Sequence, residues 1–286
     1  MKVLGTYLIT GANSGLGFHT ALHIAKLGGE VIMVCRDSEK GTIAREEITR
    51  SSGSKAIHLY IADLSSQSQI RQLAGAVRSA FSKIDVLINN AACNFLHFTQ
   101  TENGIEMQFA VNHLAPFLLT HLLLDKLRNA EQGRIINVTS RAHARGSLHF
   151  EDLNLSNNYS AFAAYNQSKL ANILFTYELA KRLQDTSITV NCFHPGLVDT
   201  PIGNKNTTWF YSVLWSMIKM FGASPSKSAE TGVYLATSDA VKNVNGKYFA
   251  NCKEIKSSAI TYNQKIASQL WQVSEEMTGI KRYNEI

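Results

Sequence analysis

The chain has few cysteines and prolines, and those it has are scattered. Its 286 residues include four cysteines and four prolines, and no two cysteines form a CxxC pair. This spacing argues against a disulfide framework and against a structural zinc site, and it predicts reduced thiols in a cytosol-like compartment. No metal is expected, because the cysteines and histidines do not form a clustered ligand set.

The chain also lacks long hydrophobic runs and long segments whose charged residues all have the same sign. No run of about 18 uninterrupted apolar residues occurs, and no signal peptide precedes the first apolar stretch, so we expect a cytoplasmic protein. The net charge is +6, but basic residues are interspersed with acidic ones, as in Arg45-Glu46-Glu47. This pattern does not indicate a nucleic-acid surface, and the positive field suits an anionic cofactor.

The chain does contain a regular alternation of short apolar runs and longer amphipathic patterns. Seven runs predict strands, at residues 3–9, 30–35, 55–61, 84–89, 133–139, 188–194 and 246–249. Six patterns predict helices, at residues 15–27, 39–50, 67–81, 104–128, 161–183 and 227–237. Pro116 is expected to kink or split the fourth helix. Because strands this apolar must be covered on both faces, the sequence predicts one α/β domain over residues 1–286, a Rossmann fold with a doubly wound, mostly parallel seven-stranded sheet and helices on both faces.

A glycine-rich turn joins the first strand to the first helix. It reads Thr10-Gly11-Ala12-Asn13-Ser14-Gly15-Leu16-Gly17. Gly11 permits the tight turn, Gly15 lets backbone N–H groups approach a pyrophosphate, and Gly17 lets the helix pack on the strand. Its position at the first strand-helix junction predicts a dinucleotide site, to which the turn also contributes Asn13, Ser14 and Leu16.

The end of the second strand distinguishes between the two nicotinamide cofactors. An NAD enzyme needs a carboxylate there for the ribose hydroxyls, whereas here Cys35 is followed by Arg36, whose guanidinium can bind a 2′-phosphate. Asp37 is the alternative, as a ribose carboxylate, if the strand ends later. We expect NADP(H). Other strand-end residues are expected to line the adenine side of the site: Asp63, Leu64 and Asn90.

A tyrosine and a lysine four residues apart carry the predicted chemistry. Tyr165 and Lys169 share one face of a helix, and the nearby ammonium is expected to lower the pKa of the phenol. Tyr165 would then donate a proton to a carbonyl or accept one from an alcohol. Tyr177 and Lys181 repeat the spacing in the same helix, and we interpret them as a packing residue and a solvated lysine.

Three further segments bring polar groups to the same edge of the sheet. Ser140 ends the fifth strand, where its hydroxyl can bind a substrate oxygen. Asn112 lies just before Pro116 in a distorted helix, so its backbone carbonyl is expected to hold a water next to Lys169. Residues after the sixth strand are expected to bind the nicotinamide carboxamide: Pro195, Gly196, Val198 and Thr200.

In combination these motifs resemble the short-chain dehydrogenase/reductase family over about residues 3–249. The chain is most similar to the retinol dehydrogenase-like branch, in Cys35-Arg36-Asp37, Val111-Asn112-His113-Leu114, Ser168-Lys169-Leu170-Ala171-Asn172 and His194-Pro195-Gly196. The resemblance implies NADP(H) preference at Arg36 and hydride transfer between nicotinamide and a lipophilic aldehyde, ketone or alcohol. It also implies a catalytic tetrad: Asn112, Ser140, Tyr165 and Lys169. The chain departs from the family at Ala92, where glycine is usual.

Two questions of context stay open from the sequence. Members of the branch commonly carry an N-terminal membrane anchor, so a soluble relative and an anchor-trimmed chain both fit. A substrate-lid insertion is expected at about residues 201–226, where residues 209–221 are apolar almost all round a helix. We expect this segment to cover a small lipophilic substrate, while contact with a membrane surface, with a partner subunit of a homo-oligomer, or with the chain's own core stays open.

The alternative function is a non-catalytic NADP(H)-binding regulatory or interaction protein. Such a protein would have little physical need for an activated phenol, and the Ser140, Tyr165 and Lys169 combination therefore favours an enzyme.

Overall fold

Strands and helices alternate along the chain, as the hydrophobic pattern predicts. A computed structural model describes residues 4–196 and 224–280. The strands are β1 (Thr6–Thr10), β2 (Glu30–Cys35), β3 (Ile57–Ile61), β4 (Val86–Asn89), β5 (Arg134–Val138), β6 (Thr189–Phe193), β7 (Tyr248–Ala250) and β8 (Lys253–Ile255). The helices are α1 (Gly15–Lys26), α2 (Ser38–Ser52), α3 (Gln67–Ala80), α4 (Met107–Phe109), α5 (Ala115–Leu122), α6 (Leu124–Arg128), α7 (Ala161–Arg182), α8 (Pro225–Thr237) and α9 (Gln264–Thr278).

The strands form one sheet in the order β3-β2-β1-β4-β5-β6-β7-β8. All neighbouring strands are parallel except β7 and β8. The chain order reverses direction beside β1, which makes this the predicted doubly wound Rossmann fold. In such sheets ligands bind beyond the carboxyl ends of the strands at the point of reversal.

The eighth strand is a correction to the predicted seven. Ala250 pairs with Lys253 across a two-residue turn, in which Asn251 and Cys252 have φ angles of 49° and 59°. Two left-handed residues match the twist of a hairpin, but such turns are usually signalled by Asn-Gly or Asp-Gly. Because the second turn residue is a cysteine and the strand has only three residues, the sequence pattern did not reveal the hairpin.

Two apolar layers cover the sheet, one on each face. Leu8 and Ile32 point into a layer with α3, α5 and α7, while Ile9 and Met33 point into a layer with α1, α2 and α8. Successive residues of a strand alternate between faces, so both must be apolar when both faces are buried. This explains why the strands read as nearly continuous apolar runs.

The helix predicted at residues 104–128 is divided into several segments. Between α4 and α5 the chain makes a π-helical turn, Ala110–Leu114, and Pro116 stands in the first turn of α5. Proline has no N–H to give to the carbonyl four residues before it, and its ring clashes there, so a regular α-helix cannot continue through this point. The predicted distortion at Pro116 is confirmed.

Helix α9 was not among the predicted elements. Asn263 caps its start by accepting from the N–H groups of Lys265 and Ile266, and Gly279 ends it with a φ of 64°. Its buried face carries Leu270 and Trp271 and packs on α7. The asparagine and the glycine were present as start and stop signals.

Two features are absent from residues 4–196 and 224–280: a membrane-spanning helix and a cluster of metal ligands. Within these ranges no helix is long and apolar enough to cross a bilayer. Within the same ranges no three histidine, cysteine or acidic side chains come together as metal ligands. The lid expected at about residues 201–226 lies, up to residue 223, outside the described residues.

The close packing of α1 on the glycine-rich turn gives a stability prediction. A Cβ at Gly17 would lie 2.3 Å from the Gly11 carbonyl oxygen, whereas a Cβ at Gly75, inside α3, meets nothing within 4 Å. Gly17→Ala should lower the free energy of unfolding by about 1–3 kcal/mol, as overpacking does. Gly75→Ala is the matched control and should raise it by about 0.5–1 kcal/mol. Denaturant unfolding measures both, and an unchanged midpoint for Gly17→Ala would contradict the packing described.

Candidate active site

The site begins where the carboxyl ends of β1, β4 and β5 meet. The Asn89 amide donates to Asn137 Oδ1 at 2.8 Å and so joins β4 to β5. The Asn90 amide donates to the carbonyl of Thr10 at 2.7 Å, and Thr10 Oγ1 accepts from the N–H of Asn90 at 2.9 Å and of Ala91 at 3.0 Å. Asn90 therefore positions the glycine-rich turn. Thr10 is a second positioning residue, which the sequence reasoning did not single out.

The glycine-rich turn fits a phosphate group. Gly11 and Gly15 adopt left-handed φ angles of 68° and 54°, and Gly17 leaves no room for a Cβ. Ser14 stands at the N-cap of α1, but its side chain makes no capping hydrogen bond. The first N–H groups of a helix have no acceptor within the helix, so this helix start remains able to bind an anion.

The other predicted turn residues differ in what they expose. The Leu16 side chain, in the first turn of α1, is buried in the core, so only its backbone is available to a cofactor. Asn13 is half-buried and Ser14 is exposed. The turn therefore offers backbone N–H groups and small polar side chains rather than an apolar surface.

The end of β2 places Arg36 and Asp37 in different roles. β2 ends at Cys35, so Arg36 is the first residue beyond the strand. The Asp37 carboxylate caps α2 by accepting from the Lys40 N–H at 3.0 Å and pairs with Lys40 Nζ at 3.2 Å. The Lys40 backbone N–H, followed by its side chain, lowers the pKa of Asp37. Arg36 is exposed and has no hydrogen-bond or ion-pair partner among the described residues.

After β3, Asp63 and Leu64 also differ in whether their side chains can reach a cofactor. Asp63 Oδ1 accepts from the backbone N–H of Ser65 at 2.9 Å and from its hydroxyl at 2.8 Å. Leu64 is 9% exposed and its side chain belongs to the core. Leu64 can thus reach a cofactor only through its backbone, whereas Asp63 keeps a carboxylate at the sheet edge.

Ser140, Tyr165 and Lys169 converge at the end of β5. Ser140 begins a 3₁₀ turn, Arg141–Arg145, and its Oγ accepts from the Ala142 N–H at 3.2 Å. The Ser140 hydroxyl lies close enough to the Tyr165 phenol to lower its pKa. Lys169 is 2% exposed, donates from Nζ to the Val138 carbonyl at 3.3 Å, and lies 5.6 Å from the centroid of the Tyr165 ring. The Ser140 hydroxyl, the Tyr165 phenol and the Lys169 ammonium therefore lie close together at the carboxyl end of β5.

Gly146 permits this convergence and was missed from the sequence. A Cβ at Gly146 would lie 2.6 Å from the Asn166 carbonyl oxygen and 2.9 Å from Leu170 Cβ. The absence of a side chain lets the turn that begins at Ser140 lie against α7, next to Tyr165. A glycine with an ordinary φ inside a loop gives no sequence signal of such a contact.

Asn112 joins the π-helical turn to its surroundings. Its Nδ2 donates to the Cys93 carbonyl at 3.0 Å and to Ser168 Oγ at 3.0 Å, and its Oδ1 accepts from the Cys93 N–H at 2.8 Å. Asn112 is fully buried, so its side chain fixes the loop after β4 against α7. The water expected at its backbone carbonyl stays a prediction.

Burial changes the pKa values of both titratable side chains. Burial raises the pKa of Tyr165, and the neighbouring Ser140 hydroxyl only partly offsets this rise. Burial lowers the pKa of Lys169 to about 8. The expected lowering of the phenol pKa by Lys169 is not seen, because loss of solvation disfavours both charged forms. Tyr165 is thus protonated at neutral pH.

Residues after β6 are described only in part. Gly196 has a φ of 80°, and its N–H donates to His194 Nδ1 at 3.1 Å. Pro195 is half-buried beside it. Val198 and Thr200 lie outside the described residues, so the expected contact with a carboxamide stays a prediction.

The repeated tyrosine-lysine spacing has the structural role that was expected of it. The Tyr177 hydroxyl lies 2.8 Å from Ser257 Oγ, and its ring stacks on Tyr262 at 5.5 Å. Lys181 is exposed. Position on the helix therefore separates Tyr165 from Tyr177.

Comparisons with known proteins show the family to which the chain belongs. The family model described as short chain dehydrogenase matches residues 5–210. The chain belongs to the short-chain dehydrogenase family. It is 41% identical to retinol dehydrogenase 13 of Mus musculus over 96% of this chain and 84% of that protein. It is 40% identical to retinol dehydrogenase 14 of Homo sapiens over 96% and 86%. It is thus an oxidoreductase of the retinol dehydrogenase-like branch.

Solved structures agree in fold. A crystal structure of a Mycobacterium paratuberculosis protein matches with a TM-score of 0.77 and 32% identity, covering 96% of this chain and 93% of that one. L-Sorbose reductase from Gluconobacter frateurii, in complex with NADPH and L-sorbose, matches with a TM-score of 0.70 and 23% identity, covering 87% and 95%. At that identity the second match shows the fold alone.

The lowered pKa of Lys169 predicts the pH dependence of carbonyl reduction. Below pH 8 the ammonium is protonated, and as the pH rises through about 8 it loses its charge. The rate should therefore be level from pH 6 to 7.5 and fall above 8. In Lys169→Arg the guanidinium stays charged, so the fall should move to higher pH. A steady-state pH profile measures this, with Lys181→Arg as the exposed control; a wild-type fall centred near pH 6 would contradict the assignment.

Proposed function

We propose that this chain is an NADP(H)-dependent oxidoreductase that interconverts a lipophilic alcohol and its aldehyde or ketone. The observation that carries the proposal is the convergence of Ser140, Tyr165 and Lys169 at the carboxyl edge of the sheet. The glycine-rich turn lies at the same edge, tied to it through Asn90. Proton transfer and cofactor binding are thus supported at adjacent places.

Each side chain has a role that its contacts support. A bound nicotinamide supplies or accepts the hydride. In reduction, the Ser140 hydroxyl orients the substrate oxygen and the Tyr165 phenol gives that oxygen its proton. The phenolate left behind is stabilised by the Ser140 hydroxyl and the Lys169 charge. In oxidation the same groups act in reverse, and Tyr165 takes the alcohol proton.

The buried lysine argues for catalysis over simple cofactor binding. An ammonium that is 2% exposed is costly to keep, and its only hydrogen bond among the described residues is to the Val138 carbonyl. A non-catalytic binder gains nothing from a charge beside a protonated phenol. An enzyme gains stabilisation of the phenolate.

The NADP(H) preference rests on Arg36. Its guanidinium has no partner in the described part of the chain, and Asp37 is already engaged in capping α2. A free guanidinium just beyond β2 can bind a 2′-phosphate with two parallel hydrogen bonds. This arrangement favours the phosphorylated cofactor.

A lipophilic substrate is supported by the surface next to Tyr165. Phe162, three residues earlier on the same face of α7, is 62% exposed. Phe98 is 38% exposed and its ring contacts Tyr159 at 5.6 Å. The relatives' names point to the same substrate class. The proposed lid at residues 201–226 would cover this substrate.

Replacing the phenol tests the chemistry. Tyr165→Phe keeps the ring and removes the exchangeable proton, so it should reduce kcat for aldehyde or ketone reduction by at least about 100-fold. Binding of NADPH, followed by its fluorescence, should stay close to that of the wild type. Tyr60→Phe, in the edge strand β3, is the matched control and should leave kcat within about twofold. Undiminished turnover by Tyr165→Phe would overturn the proposed function.

Replacing Arg36 tests the cofactor. Arg36→Ala should raise the KM for NADPH by about tenfold or more, since a charge-assisted bidentate contact is lost. The KM for NADH should change little. Arg50→Ala, an exposed arginine at the end of α2, controls for the general loss of positive charge. Equal changes for the two cofactors would exclude recognition of a 2′-phosphate by Arg36.

A further inference from the structure

His143 is a buried histidine with both ring nitrogens engaged. It lies in the 3₁₀ turn that begins after Ser140 and is 4% exposed. Its Nδ1 is 2.7 Å from the Ser140 carbonyl oxygen. Its Nε2 accepts from the backbone N–H of Ser258 at 3.1 Å. The ring thus connects the loop after β5 with the chain after β8.

The two hydrogen bonds fix the state of the imidazole. A backbone N–H can only donate, so Nε2 carries a lone pair and no proton. A carbonyl oxygen can only accept, so Nδ1 carries the proton and donates it. His143 is therefore neutral and held in the Nδ1–H tautomer.

The Ser140 carbonyl is held twice by the same residue. Besides Nδ1–H, the backbone N–H of His143 donates to it at 3.1 Å. The His143 and Tyr248 rings form a T-shaped pair with centroids 5.2 Å apart, so Tyr248 of β7 restricts the orientation of the His143 ring. Ser140 is consequently anchored through its main chain while its hydroxyl stays available to Tyr165.

The Ser258 side of the contact is anchored as well. Ser257 Oγ lies 2.8 Å from the Tyr177 hydroxyl of α7 and 2.6 Å from Thr261 Oγ1. Helix α7 also carries Tyr165. The path from Ser140 through His143 and Ser258 thus returns to the helix that bears the phenol.

We propose that His143 is a positioning residue for Ser140 and that the backbone N–H of Ser258 holds it in place. The inference rests on the proposed role of Ser140 in the reaction. The family model matches residues 5–210, so Ser258 lies in a part of the chain beyond that match. The segment after β8 is thereby part of the active-site framework.

Proline at position 258 tests the hydrogen bond from the Ser258 N–H to His143 Nε2, because it removes only that donor. Ser258 has a φ of −64°, the value that proline requires, and its hydroxyl has no hydrogen-bond partner within the described residues. Ser258→Pro therefore removes the N–H donor to His143, while Ser258→Ala keeps it. We expect Ser258→Pro to lower kcat about fivefold with little change in KM for NADPH, and Ser258→Ala to match the wild type. Equal kcat values for the proline and alanine variants would overturn the proposal.

A second series at position 143 covers the case in which Ser258→Pro does not fold. His143→Asn keeps an amide N–H near the place of Nδ1, whereas His143→Phe keeps only the ring. We expect His143→Phe to lose at least about tenfold in kcat and His143→Asn to recover most of it, since a misplaced reacting group costs rate rather than affinity. His58→Phe, which removes a histidine bonded to Glu30 at the far edge of the sheet, is the control. No recovery in His143→Asn would contradict positioning through Nδ1.

A measurement that does not depend on enzymatic activity tests this inference separately from the proposed function. Imidazole ¹⁵N NMR of the whole chain should show His143 protonated at Nδ1 only, and Ser258→Pro should change that signal while Ser258→Ala should not. A signal with the proton on Nε2 would overturn the inference whatever the activity. If the NMR agrees but Tyr165→Phe turns over as the wild type does, the proposed function fails alone. If Tyr165→Phe is inactive and the His143 and Ser258 variants are normal, only the positioning role fails.

Discussion

The arrangement of the site depends on one contact, the hydrogen bond from the buried Lys169 ammonium to the Val138 carbonyl. A charge that is 2% exposed must be held by a fixed acceptor, and the carbonyl of Val138 provides it from the last residue of β5. This hydrogen bond fixes the position of α7 along the direction of β5. Tyr165, one turn before Lys169, then lies opposite Ser140, two residues after Val138. The proposed catalytic geometry thus follows from satisfying one buried charge.

A second layer of polar contacts holds the edge on which the cofactor turn lies. Strands this apolar offer few polar side chains, and those present join neighbouring strand ends: Thr10 to β4, and Asn89 to Asn137. Because each amide and hydroxyl spans two strands, the turn after β1 and the loop after β4 cannot move independently. The proposed phosphate and adenine contacts therefore share one rigid frame with the catalytic edge.

Much of this arrangement could be predicted from sequence, because it depends on local patterns. The glycine-rich turn, the Tyr165-Lys169 pair and the distortion at Pro116 each follow from spacing or from one residue's stereochemistry. Contacts between distant segments leave no such pattern, which is why Gly146 and His143 were missed. The raised pKa of Tyr165 was missed for a related reason, since burial is a property of the fold and outweighed the nearby charge. The sequence left Arg36 and Asp37 as alternative cofactor ligands, and the capping of α2 by Asp37 supports the proposal that Arg36 is the ligand.

The chain beyond residue 224 supports the site from a second direction, through another neutral histidine. His113 follows Asn112 in the π-helical turn, and its Nε2 lies 2.9 Å from Ser274 Oγ on α9. The Ser274 hydroxyl donates to the Leu270 carbonyl at 2.7 Å, so it must accept from His113, and the proton is on Nε2. Burial lowers the pKa of His113 to about 3, which keeps the ring neutral. The π-helical turn lacks the regular hydrogen bonds of an α-helix and depends on side chains to hold Asn112 in place. Helix α9 supplies one such contact, from Ser274 to His113. The strand and helix pattern of the first 250 residues gives no sign of it, because α9 lies beyond them.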